Sequence, residues 1–105
     1  MKLAITDFDS LPRESGVRVV IGEHRIAMFR VGDEVFAIGD TCSHAEASLS
    51  EGEVFDGAVE CPRHGSEFDL RTGKAMTLPA TTSVPTYEVS VEDGTVYLTL
   101  DEEAE

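Results

Sequence analysis

The chain reads as an all-β protein built of antiparallel strands. Three observations predict this. Short runs rich in Val, Ile, Thr, Tyr and Phe recur along the 105 residues, as half-buried strands require. Between them stand the dipeptides Gly22-Glu23, Gly32-Asp33, Asp56-Gly57 and Asp93-Gly94, which suit tight turns between paired strands. No stretch carries a helical apolar period over three turns. The length suits one domain over residues 1–105, and a hydrophobic fraction of 41% allows a modest core.

Taken in order, residues 3–7 form a first strand and residues 9–12 a turn. Residues 17–21, 24–30 and 34–39 are three strands of a meander, joined through Gly22-Glu23 and Gly32-Asp33. In the second of them, Ile26 and Met28 alternate with more polar neighbours. Residues 51–55 and 58–60 make a short hairpin through Asp56-Gly57. A short strand at 67–70 and a turn at Thr72-Gly73 follow. Residues 78–85 contain Pro79 and Pro85 and read as an extended loop. Residues 86–91 and 95–100 close the chain as a hairpin, with Tyr87, Val89 and Val91 on one side. The tail 101–105 is acidic and reads as a solvated, frayed end.

The chemistry sits in two stretches, Cys42-Ser43-His44 and Cys61-Pro62-Arg63-His64-Gly65. They use both cysteines and two of the three histidines. Soft thiolate and borderline imidazole, each supplied twice, suit a transition metal. Three readings compete. A Cys42–Cys61 disulfide leaves both histidines unexplained, and no secretory signal precedes it. A structural zinc site usually starts from a C-x2–4-C knuckle, whereas the first loop is C-x-H. A [2Fe–2S] cluster with two cysteines on one iron and two histidines on the other takes one ligand pair from each loop. His24, between Glu23 and Arg25 beside a turn, has no further cysteine or histidine to pair with and reads as a surface residue.

The run C-S-H…C-P-R-H-G-S resembles the Rieske iron–sulfur proteins. Glu67-Phe68-Asp69, Thr72-Gly73, the proline-containing segment and the closing hairpin fit the same family. The chain looks like the soluble ferredoxin components of bacterial aromatic-ring-hydroxylating dioxygenase systems. The resemblance implies a Rieske fold. Residues 1–39 and 81–100 would be its base, and residues 40–80 an inserted cluster-binding part. It implies that Cys42 and Cys61 hold the inner iron, and His44 and His64 the outer, more exposed one. It implies a hydrogen bond from Ser66 to a cluster sulfide. Gly65 would supply an unusual backbone conformation or a close approach. Arg63, next to His64, would help dock a partner. Respiratory relatives carry an extra cysteine in each loop, where this chain has Ala47 and Arg63, and a tyrosine where it has Phe68. Both differences point to the low-potential branch. Histidine in place of thiolate makes a site less anionic and easier to reduce.

The formal net charge is −13, from 21 acidic and 8 basic side chains. Nucleic-acid phosphates and anionic membrane surfaces are disfavoured partners. An acidic surface suits either solubility or steering toward basic partners. No apolar run approaches the length of a transmembrane helix, and reduced thiols suit the cytoplasm. The expected function is one-electron transfer from a flavin-dependent ferredoxin reductase to a terminal Rieske oxygenase. The chain itself would not be an enzyme, because His24 alone cannot complete a mononuclear iron site. Two rivals stand beside this: a small Rieske subunit of another redox enzyme such as nitrite reductase, and a zinc-stabilised interaction module.

Overall fold

The computed structural model describes residues 2–41, 47–62, 65–77 and 83–100. They form nine strands: β1 (Lys2–Asp7), β2 (Ser15–Ile21), β3 (His24–Val31), β4 (Glu34–Gly39), β5 (Val54–Phe55), β6 (Ala58–Glu60), β7 (Glu67–Asp69), β8 (Thr86–Glu92) and β9 (Thr95–Thr99). Six make one sheet in the order β1-β9-β8-β4-β3-β2, and three make a second, β5-β6-β7. All of these strand pairs are antiparallel, as the alternating patterns predict.

The four turn dipeptides each occupy a two-residue hairpin loop. At Gly22 and Gly32 only the first loop residue has positive φ. At Asp56-Gly57 and Asp93-Gly94 both do, with φ 53° and 74°, and 52° and 80°. These are the two turn families whose twist matches paired strands.

Several boundaries differ from expectation: β2 starts at Ser15, and Leu100 falls outside β9. The run 51–55 is not one strand: Leu49–Glu51 is a 3-10 turn, and only Val54–Phe55 pairs. Leu49 and Ser50 are buried there, so core packing overrides the extended propensity of that run. Leu70 falls outside β7 and turns inward, 2% exposed.

The large sheet is hinged between β4 and β8, which share only Ala37↔Tyr87 and Ile38↔Thr86. Its two halves close over one core, with Ile26, Met28 and Ala37 facing Val96, Leu98 and Leu100. The other face of β3 and β4 presents Ala27, Phe29 and Ile38 to a second core, completed by Leu49, Val59, Cys61, Phe68, Leu70 and Val84. So β3 is buried on both faces, and Ala27 and Phe29 lie as deep as Ile26 and Met28. A strand covered on both sides shows no clean alternation. Arg30 ends this run, 7% exposed. Its guanidinium lies 4.0 Å from the Phe8 ring centroid and donates to the carbonyls of Phe8 and Leu11, both at 3.3 Å, which keeps the buried cation satisfied.

In the closing hairpin Tyr87 and Val89 pack on the first core, while Val91 is 41% exposed. Partial burial pushes the Tyr87 hydroxyl pKa up. His24 is exposed and meets Tyr87 edge-on, ring centroids 5.9 Å apart. Residues 78–82 of the proline segment and the tail 101–105 lie outside the described residues.

Candidate metal centre

The second ligand loop leaves the end of β6. Cys61 is a free thiol, 1% exposed, inside the core formed with Phe68, Val59 and Leu49. Two backbone bonds close the loop below its tip: Cys61 N–H donates to the Ser66 carbonyl at 2.6 Å, and Gly65 N–H to the Cys61 carbonyl at 2.9 Å. Gly65 has φ +78°, a conformation that side chains resist. A Cβ there would also sit 3.1 Å from a Glu60 carboxylate oxygen. Ser66 and Phe68 are both wholly buried. Phe68 pairs with Val59 across the small sheet and bridges to Ala75. Arg63 and His64 lie outside the described residues.

The first loop is described at its neck. Cys42 and His44 lie outside the described residues, but the residues on either side pair as the bridge Thr41↔Ser48. The neck is fastened by Asp40, a residue the sequence reading passed over. Its side chain is 3% exposed. One carboxylate oxygen accepts from Ser50 N–H at 2.9 Å, and Ser48 Oγ lies 2.6 and 2.8 Å from the two oxygens. The backbone joins in: Leu49 N–H donates to the Asp40 carbonyl at 2.6 Å, and Asp40 N–H to the Arg25 carbonyl at 2.9 Å. A buried carboxylate needs such donors. The available signal was an Asp two residues before a candidate ligand cysteine, with Ser-Leu-Ser beyond the loop.

Both loops open from the same core. Ala47, at the far side of the first neck, packs against the cluster of side chains that holds Cys61. Among the described residues no group of three His, Cys, Asp or Glu side chains is placed to hold a metal, since three of the four candidate ligands lie outside them. Cys61 itself fits an iron–sulfur cluster: a soft donor, uncommitted to a disulfide, in dry apolar surroundings.

An all-β scaffold that sets a free, buried cysteine on a dry core, with the neck of a second loop packed on the same core, suits an iron–sulfur protein. The chain belongs to the Rieske [2Fe-2S] domain family, which it matches over residues 2–88. Its cofactor is a Rieske-type [2Fe–2S] cluster. A 3-phenylpropionate/cinnamic acid dioxygenase ferredoxin subunit of Photorhabdus laumondii subsp. laumondii is 48% identical over 103 residues, covering 97% of each chain. The ferredoxin of carbazole 1,9a-dioxygenase from Nocardioides aromaticivorans IC177 superposes with a TM-score of 0.91 at 30% identity, covering 95% of this chain and 98% of that one. A chain from a complex of reduced oxygenase and oxidized ferredoxin in carbazole 1,9a-dioxygenase superposes at 0.87 with 37% identity, covering 92% of this chain and all of that one. These relatives are electron-transfer components rather than catalysts, and the chain is an electron carrier of their kind. Among the described residues no helix is long and apolar enough to cross a membrane.

Proposed function

We propose that the chain is the ferredoxin of an aromatic-ring dioxygenase system. It accepts one electron at a time from a flavin-dependent reductase and delivers it to the Rieske centre of a terminal oxygenase. The observation that carries this is the end-to-end match, 97% of both chains, to a dioxygenase ferredoxin subunit. On this reading Cys42 and Cys61 bind the inner iron and His44 and His64 the outer one, and the bound cluster stores the transferred electron. Residues 40–80 are the cluster-binding part, residues 1–39 and 81–100 the base, and 101–105 an acidic tail. Cys61 keeps its ligand sulfur dry. Gly65 gives the loop its turn, and Ser66 donates a hydrogen bond toward the cluster. Phe68 walls the site without offering a donor, which keeps the potential low. Arg63, beside His64, meets the partner. The carrier works in the cytoplasm, where thiols stay reduced.

Purified protein is expected to carry two irons and two sulfides per chain, the composition of a [2Fe–2S] cluster. Its reduced form should give the low average g-value of mixed Cys/His ligation. It should then couple NADH oxidation by a flavin reductase to oxygenation of 3-phenylpropionate or cinnamate, the compounds in the relative's name. Stoichiometric zinc without sulfide sinks the carrier reading. A loaded cluster that elutes only in a stable heavy complex with another redox enzyme sinks the free-ferredoxin reading.

A further inference from the structure

On a chain of net charge −13 with only 8 basic side chains, the placement of cations is informative. Lys2 pairs with Glu92, Arg71 pairs with Glu34, and Arg30 is buried on carbonyls. Arg18 and Arg25 are used differently. The register Arg18↔Ala27 and Val20↔Arg25 puts Arg18, Val20 and Arg25 on one face of β2 and β3. Ala27 and Phe29 continue that face into the core beneath the small sheet. Past Ala27 the face emerges uncovered. Val20 is 56% exposed, and the Arg18 side chain is 52% exposed.

This strip borders the first ligand loop. Two grooves, about 580 and 430 Å³, share Arg25, Asp40 and Thr41 as walls, and Thr41 precedes Cys42. Of the carboxylates on those walls, Asp40 is buried and already accepts from Ser48 and Ser50. Its 3.6 Å approach to Arg18 Nε leaves the rest of that guanidinium outward. Glu23 stands on the hairpin turn. Among the described residues the Arg25 guanidinium has no hydrogen-bond or ion-pair partner. The second loop carries Arg63 in its sequence, but its described base is acidic. A groove of about 310 Å³ beside Cys61, Pro62 and Gly65 is walled by Glu51, Glu53 and Glu60.

We propose that the Arg18–Val20–Arg25 strip is a docking surface for the terminal oxygenase and accepts a carboxylate of that partner against its two guanidiniums. Arginine is enriched at interfaces, and the exposed Val20 between two arginines adds apolar area for a partner to cover. The guanidinium fork matches a carboxylate. With Glu51, Glu53 and Glu60 at the base of the other loop, a partner bearing the complementary charges there and against the arginine strip is favoured in one rotational setting. Net charge alone draws it to no particular edge. This rests on the carrier reading and adds the partner's chemistry at one edge of the site.

The test compares Arg25→Glu with Arg13→Glu in the loaded protein. Both change net charge equally. Arg13 is exposed at the opposite end of β2 from Val20. Reduced protein is mixed with hexacyanoferrate(III) at low ionic strength. One electron passes and hexacyanoferrate(II) forms. Arg25→Glu should slow this on the order of tenfold more than Arg13→Glu, the Coulomb scale for a trivalent anion about 10 Å from a reversed charge. Arg18→Glu added to Arg25→Glu should slow it further. With the oxygenase of the Photorhabdus laumondii 3-phenylpropionate system as protein probe, Arg25→Glu should raise the half-saturating carrier concentration severalfold and leave saturated turnover unchanged. Equal slowing by Arg13→Glu and Arg25→Glu overturns the proposal, as does an unchanged half-saturating concentration. If Arg25→Glu does not hold its cluster, Arg25→Gln carries the same comparison with half the charge change. Should wild type fail to reduce that oxygenase, the dioxygenase reading fails, while the hexacyanoferrate rates still decide the surface.

Discussion

The six-stranded sheet and the three-stranded sheet are held together by different physics. Strands of the large sheet run five to eight residues, and those of the small sheet two or three. The large sheet owns a core between its own halves. The small sheet buries its apolar face only by lying on β3 and β4, and strands so short have little stability of their own. Its neighbourhood relies on side chain–backbone bonds such as those of Asp40 and on a buried thiol. On the proposed division into base and cluster-binding part, the base is expected to hold its fold by itself and the metal-bearing part to be completed by what it binds.

The largest expected effect comes from removing a proposed ligand. Cys61→Ser should abolish the red-brown colour, the iron and the sulfide together, while the far-ultraviolet signature of the large sheet persists. Hydrogen exchange on protein stripped by a chelator sharpens this. Amides of β6 and β7 should exchange faster than in loaded protein, and those of β3 should keep their protection. Uniform loss of protection in both sheets would erase the distinction.

Next come the two cores. Phe68 and Met28 are both wholly buried, one in each. Phe68→Ala should cost about 3–5 kcal/mol and Met28→Ala about 2–5 kcal/mol. Cluster loss to a chelator should accelerate much more for Phe68→Ala than the difference in global stability explains. Equal acceleration would mean that the base supports the metal site as directly as the small sheet does.

At the first neck, Asp40→Ala strands the buried Ser50 N–H, an effect of about 1–3 kcal/mol. Faster cluster loss in Asp40→Ala than in an equally destabilised base variant would place that effect in the loop, and equal rates would return Asp40 to the scaffold. Voltammetry reads the same site more finely. The wild-type potential is expected near the low end of the Rieske range, about −150 mV. Phe68→Tyr should raise it by about 60 mV if its hydroxyl gives a sulfur one charge-assisted bond of about 1.4 kcal/mol. A wild-type potential well above zero contradicts a low-potential site.

The smallest effect belongs to the base surface. The hydrogen bond from Lys2 holds the Glu92 carboxyl below its usual range. A carboxylate depressed on folding stabilises above its unfolded pKa and loses that contribution as pH falls through the folded value. Glu92→Gln should therefore melt slightly below wild type at pH 7 and together with it in strong acid. Because the pair is exposed, the gap at pH 7 should be small; a large one would show the base leaning on surface charge.

The sequence alone determined the parts ruled by neighbours along the chain. Four turn dipeptides placed four hairpins, because their conformational demands are local. The paired Cys/His spacing pointed to a metal, because ligand chemistry is a property of residue types. That His24 is a surface residue also followed from what remained to pair with it. Other features depended on distant contacts. The pairing of β1 with β9 and the burial of β3 on both faces arise from strands far apart in sequence. Leu49 and Ser50 turn inward as a 3-10 turn because a core waits for them. Asp40 gives only a faint signal in the sequence, since an acidic side chain near a loop usually faces water. Only folding brings Ser48 and Ser50 back across the loop to meet it, and burial then turns an ordinary carboxylate into the clasp of the first ligand loop.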